Sequence, residues 1–172
     1  MDDEVLRRLQ QAESLRVGAD LGDSEVTLAV YGNDLDPDSV TEIVGCPPTH
    51  ALRKGERHKS YPKRCPVPIG QWFLEAPASL AFEDKIAFVL EKTTSDRKAW
   101  SVLGEIHDLQ LRCVVYLHSW AEGFSLAPSI LQRIAERGWS FGLSMYSAEG
   151  DEIIDAFLGK GSEDASLQSE TD

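Results

Sequence analysis

Several common classes of protein are excluded by what this chain lacks. Cysteine is scarce: Cys46, Cys65 and Cys113 are three in 172 residues, an odd number that leaves no complete disulfide framework and suits a reducing compartment. No apolar run approaches the roughly 18 to 20 residues that a bilayer span requires, so no membrane segment is expected. The start, Met1-Asp2-Asp3-Glu4, is acidic where a secretory signal is basic and then apolar, and the expected location is the cytoplasm. Positive charge is the minor sign, with 17 lysines and arginines against 29 acids and a net charge of −12. That balance opposes non-specific nucleic-acid binding, where phosphate neutralisation dominates, and suits a basic protein partner.

Catalytic signatures are also missing. There is no G-x-S-x-G elbow, no H-E-x-x-H, no phosphate-cradling G-x-x-x-x-G-K-[ST] and no dinucleotide fingerprint. His107 and Asp108 are adjacent, and neighbours on a turn cannot aim at one nucleophile without tertiary help. His118, at a strand end, reads as a surface or interface histidine. The sequence argues against an enzyme, and no catalytic residue or cofactor is assigned.

Two metal patterns fail on spacing. Cys46, His50, His58 and Cys65 offer ligand types within twenty residues but lack the paired clips of a zinc site. Asp34, Asp36 and Asp38 alternate like the start of a calcium loop, yet the sixth and twelfth places hold Ser39 and Gly45 instead of glycine and glutamate. Helix capping by Asp36 and dipole compensation by Asp38 account for the acids. No metal ligand is assigned.

What the chain does have is one concentrated patch of cations. Six lysines and arginines fall within residues 53–64, giving that stretch a formal +5 against Glu56 and leaving −17 on the remainder. Arg53, Lys54, Arg57, Lys59, Tyr61, Lys63 and Arg64, with Trp72 on the adjoining strand, are the candidate binding residues. Arginine forks there can clamp carboxylates or phosphates. The competing reading is a solvated loop, or one that satisfies the protein's own acidic surface.

Along the chain, residues 2–16 suit an amphipathic helix, with Val5, Leu6, Leu9, Ala12 and Leu15 near one side. Strands are expected over 25–31, 71–75, 109–117 and 139–145, where apolar and mixed residues alternate. Asp36, Pro37 and Gly45 punctuate a short helix, as N-cap, first residue and left-handed stop. Residues 46–69, with five of the eight prolines, read as a long connection. A long helix follows Ser79, broken near Thr93-Thr94-Ser95, and another opens at Pro128 and stops at Gly138. From Glu149 onward the charge is eight acids against Lys160; residues 151–158 suit a helical turn or two, and the end from Gly159 reads as a solvated tail.

One apolar and one mixed face per strand predicts an α+β two-layer sandwich. Helices would cover one face of a four-stranded, mainly antiparallel sheet, ferredoxin-like with an inserted helix; a doubly wound α/β sheet is the alternative. The expected divisions are an N-terminal helix and linker over 1–22, the domain over 23–148, and an acidic, partly disordered extension over 149–172. On the mixed face, Tyr31, Phe73, Tyr116 and Tyr146 would join Arg112 and His118. Such rings can stack bases, but the RNP1 pattern is missing; cover by a helix or a protein interface fits better.

The run Val30 to Pro37 through Gly45, then Pro48-Thr49, Lys54-Gly55 and Trp72, resembles the bacterial domain-of-unknown-function family numbered 4279. The helix at Leu126-Ala127-Pro128, Gly138 and the strand after it fit as well, so the resemblance spans about 24–147. Alanine at 127 departs from the family's usual Ser-Pro and loses a capping oxygen. The resemblance implies no activity. The working expectation is a non-catalytic protein-interaction module, in one specific form an immunity-type protein facing a basic toxin. The alternative is a small-molecule or phosphate-binding sensor or enzyme that uses the basic loop 50–65.

Overall fold

Alternation along Asp23–Gly32 (β1) builds the centre of the sheet: Val26, Leu28 and Val30 are at most 1% exposed, whereas Glu25 faces solvent. The computed structural model describes residues 21, 23–58, 63, 65–117 and 123–147. The helix expected over 2–16, His118 and the acidic extension lie outside the described residues.

After β1, the expected punctuation forms Pro37–Val44 (α1). Asp36 accepts hydrogen bonds from the Ser39 amide at 3.3 Å and the Ser39 hydroxyl at 2.8 Å, and Gly45 stops the helix at φ 84°. That left-handed conformation costs glycine little and other residues more. The chain then forms His50–Leu52 (β2) and Gly70–Glu75 (β3), with Gln71, Phe73 and Glu75 turned away from the buried Trp72 and Leu74.

The long helix breaks where the sequence suggests, into Phe82–Lys92 (α2) and Arg97–Ile106 (α3). The joint is fastened at three points. The Thr93 hydroxyl donates back to the Val89 carbonyl at 2.9 Å, the Thr94 amide donates to the Val44 carbonyl at 2.9 Å, and the Trp100 indole donates to the Thr94 carbonyl at 2.8 Å. Asp96 caps α3 through the Lys98 amide. Asp108–Leu117 (β4), Pro128–Glu136 (α4) and Ser140–Ser147 (β5) complete the described chain.

The strands form one sheet in the order β2-β3-β1-β4-β5. β1 pairs antiparallel with β3 and β4, β2 pairs antiparallel with β3, and β5 lies parallel to β4. The α+β class therefore holds, but the expected four-stranded sheet is corrected to a mixed sheet of five. The missed strand, β2, has three residues and sits between prolines, too short to display a period. β5 follows β4 through α4, and a helical crossover returns the chain in the same direction, which makes this pair parallel.

Buried side chains of all four helices join Val26, Leu28, Val30, Trp72, Leu111 and Val115 in one core. Fully burying such a side chain stabilises by about 1.5–3 kcal/mol. Two cations are buried with it. Lys85 of α2 donates to the carbonyl and hydroxyl oxygens of Ser24, at 2.7 and 3.1 Å, near the start of β1. Arg137 donates to the Leu90 and Arg133 carbonyls, at 3.2 and 3.1 Å, and its guanidinium lies 5.4 Å from the Trp139 ring centre. Both satisfy backbone oxygens that burial would otherwise leave unpaired.

Candidate functional site

The basic loop begins where β2 ends, and its base is tied together by its own hydrogen bonds. The Gly55 amide donates to the Val67 carbonyl at 2.9 Å and the Val67 amide to the Glu56 carbonyl at 2.8 Å, while the Arg53 amide donates to the Glu56 carboxylate at 2.9 Å. Gly55, at φ 85°, makes the turn. These bonds pinch the loop closed before most of its cations are reached.

The candidate residues separate into groups. The Arg53 guanidinium pairs with the carboxylates of Asp36 and Asp38, the latter at 3.0 Å. Two of the acids considered as a calcium loop, Asp36 and Asp38, thus hold an arginine. Lys54 donates to the Asn33 amide oxygen at 2.8 Å. Arg57 and Lys63 are exposed. Lys59, Tyr61 and Arg64 lie outside the described residues.

Trp72, expected beside the loop as a binding residue, is 0% exposed, and its indole donates to the Thr41 hydroxyl of α1 at 3.0 Å. It belongs to the core and offers a partner no surface. Its strand alternates, and position 72 falls on the helix-covered side.

Beside the loop lies a cleft of about 540 Å³ between α1 and β2, lined by Pro37, Asp38, Thr41, Pro48, His50 and His58 among others. The His50 and His58 rings stack at 4.2 Å and 18°. Parallel stacked rings do not direct two lone pairs to one point, and no group of three metal-ligating side chains occurs among the described residues. Burial, then the neighbouring His58, pulls the His50 pKa below its ordinary value, and its Nε2 is buried without a hydrogen-bond partner. Cys46, near this end, has its thiol pKa raised by burial.

The opposite face of the sheet carries no helix of the described chain. Register places His50 beside Phe73, Phe73 beside Ala29, Tyr31 one pleat along, and Arg112 beside Thr27. Tyr31 meets Phe73 edge-on with ring centres 5.5 Å apart, and the Arg112 guanidinium donates to the Tyr31 phenol oxygen at 2.9 Å. Tyr116 and Tyr146 stack at 5.7 Å across β4 and β5. The Glu25 carboxylate raises the Tyr116 phenol pKa. The aromatic grouping expected from strand alternation is thus present, apart from His118.

His50 was not expected on this face, because β2 itself was not legible. Asp23, Glu25, Glu75 and Asp108 share the face with the rings and Arg112. The result, among the described residues, is an aromatic platform around Arg112 with an acidic border. Chemically it can stack apolar groups and attract cations.

No curated protein and no solved structure matches the chain. A family model described as a domain of unknown function, DUF4279, matches residues 23–148, from the first residue of β1 to just past the last of β5, and the chain belongs to that family.

Proposed function

We propose that this protein is a non-catalytic protein-interaction module whose docking surface is the open face of the sheet, bordered by the basic loop. The observation that carries this reading is the Tyr31–Phe73–Arg112 cluster on a face that no described helix covers. Tyrosine, phenylalanine and arginine are enriched where proteins meet, because they give large rigid contact areas with a polar handle. The acidic border and the net charge of −12 favour a basic partner and speed its arrival at low salt. An immunity-type role against a basic toxin in a bacterial cytoplasm is the specific form proposed. Strands β1 to β4 with α1, α2 and α3 are read as a ferredoxin-like unit, extended by α4 and β5.

The basic loop has a narrower part than its charge suggests. Arg53 serves Asp36 and Asp38 and Lys54 is held by Asn33, so among the described residues the exposed Lys63 is the cation of this loop proposed to reach a partner. The test is capture from lysate of the source cell with wild type, Arg112→Glu, and the triple reversal of Arg53, Lys54 and Arg57. Arg112→Glu is expected to lose the partner while the thermal midpoint stays nearly unchanged, since surface substitutions usually cost within about 0.5 kcal/mol. A partner retained by Arg112→Glu and by Tyr31→Ala overturns the docking face.

A second reading is favoured by one observation, the unpartnered Nε2 of His50 beside the cleft. In that reading the cleft holds a small anion that accepts from the imidazole, with the basic loop closing over it. A rise of several degrees in thermal midpoint with one anion from a metabolite panel, absent in His50→Ala, supports it through binding linkage.

A further inference from the structure

The two edges of the sheet are guarded very differently. β2 is three residues long and is followed directly by Arg53-Lys54, so charge and brevity protect it from unwanted pairing. β5 is eight residues long, Ser-Phe-Gly-Leu-Ser-Met-Tyr-Ser, with no proline and no charged residue, in a chain of net charge −12. Among the described residues it pairs on one side only, with β4. Phe141, Met145 and Tyr146 are 39%, 61% and 57% exposed. A long, unguarded edge of this kind is a template for another strand.

The sequence of β5 selects what that strand is. Antiparallel pairing about a two-fold axis at Ser144 sets Ser144 against itself, Leu143 against Met145, and Gly142 against Tyr146 of the second copy. Each pair shares a face, as the pleat requires. A side chain added at Gly142 would find nothing within 4 Å, so the site has room for a ring laid over it. A tyrosine covering a cross-strand glycine is a recognised sheet device. On the other face, Leu143 and Met145 meet their counterparts, apolar on apolar. The strand also allows two strongly acidic chains to approach without like charges facing each other across the seam.

We propose that β5 is a homodimer edge: two copies join antiparallel about Ser144 into one continuous ten-stranded sheet. The interface is isologous, so the same seven residues, 141–147, serve both copies and the assembly closes at two. It is tested separately from the docking face around Tyr31 and Arg112, because it is read as mass rather than as partner capture.

The experiment is light scattering coupled to gel filtration on the full chain over a concentration series. The expected wild-type mass is twice the 19.0 kDa of one chain. Ser144→Lys and Ser144→Glu each place like charges against each other at the axis and are expected to run as monomers with unchanged circular dichroism. Mixing the two variants is expected to restore the doubled mass, since residue 144 then meets its opposite charge. A wild type that stays at one chain mass overturns the proposal. A wild-type dimer that Ser144→Lys leaves intact, or mixed variants that remain monomeric, overturns the seam at Ser144.

Discussion

Arg53 turns inward to Asp36, the residue that caps α1, so the first cation of the basic loop is spent on the helix that precedes it. The Ser39 hydroxyl, and after it Arg53, hold the Asp36 carboxyl below its ordinary 3.8. A carboxylate whose folded pKa is depressed contributes stability above its unfolded pKa and loses it as pH falls through the folded value. Asp36→Ala is expected to lower the thermal midpoint at neutral pH and flatten its acid limb. Arg53→Ala is expected to act in the same direction but less, because Ser39 still donates. A midpoint series from neutral pH down through the carboxylate range measures both.

His107 packs its Nδ1 against Gly32, where an added Cβ would stand 2.2 Å from that nitrogen. Gly32→Ala is expected to destabilise by about 1–3 kcal/mol through overpacking. The same change in a His107→Ala background is expected to cost less, and chemical denaturation of the four proteins gives the coupling.

Burial lowers the pKa of both His107 and His50 from the ordinary 6.5. Between the folded and unfolded values the unfolded chain binds the extra proton, so stability is highest above about pH 6.5 and declines as pH falls toward the folded values. Denaturant midpoints measured across that window are expected to decline toward acid. His107→Asn is expected to remove part of the slope.

Trp72 fills the space between β3 and α1 and donates to Thr41. Trp72→Ala is expected to cost about 3–5 kcal/mol. Thr41→Val removes the acceptor with little change of volume and leaves a buried indole N–H unpaired, at about 1–3 kcal/mol. Urea midpoints at constant slope check both values.

The thiols differ in accessibility. Cys113 is buried on β4 with its pKa pushed up to about 12, whereas Cys65 is exposed. In native protein a thiol reagent is expected to modify Cys65 at once, Cys46 slowly, and Cys113 only after denaturant is added. Mass spectrometry of the labelled peptides reads the order.

Much of this fold was legible in short-range patterns. Asp36, Pro37 and Gly45 specify α1 through capping chemistry that neighbours alone decide. Alternation in β1, β3, β4 and β5 is enough to put Tyr31, Phe73, Arg112, Tyr116 and Tyr146 on one side. β2 was not legible, because three residues give no period and its partner, β3, lies twenty residues downstream. The break between α2 and α3 was visible as polar, β-branched threonines, but its fastening to Val44 was not.

Which side of each long strand meets the core follows from the order of residues alone, because a period of two leaves only two faces and the apolar residues choose one. The same holds for the start and stop of α1, since the capping of Asp36 and the left-handed turn at Gly45 act over three or four residues. The tertiary structure alone decided which clustered charges are available: Arg53 meets Asp36 and Asp38, seventeen and fifteen residues away, and such a contact exists only once α1 and β2 are packed side by side. It also decided that Trp72 is interior and that β5 is an edge. Both depend on which elements become neighbours, and local periodicity carries no record of that.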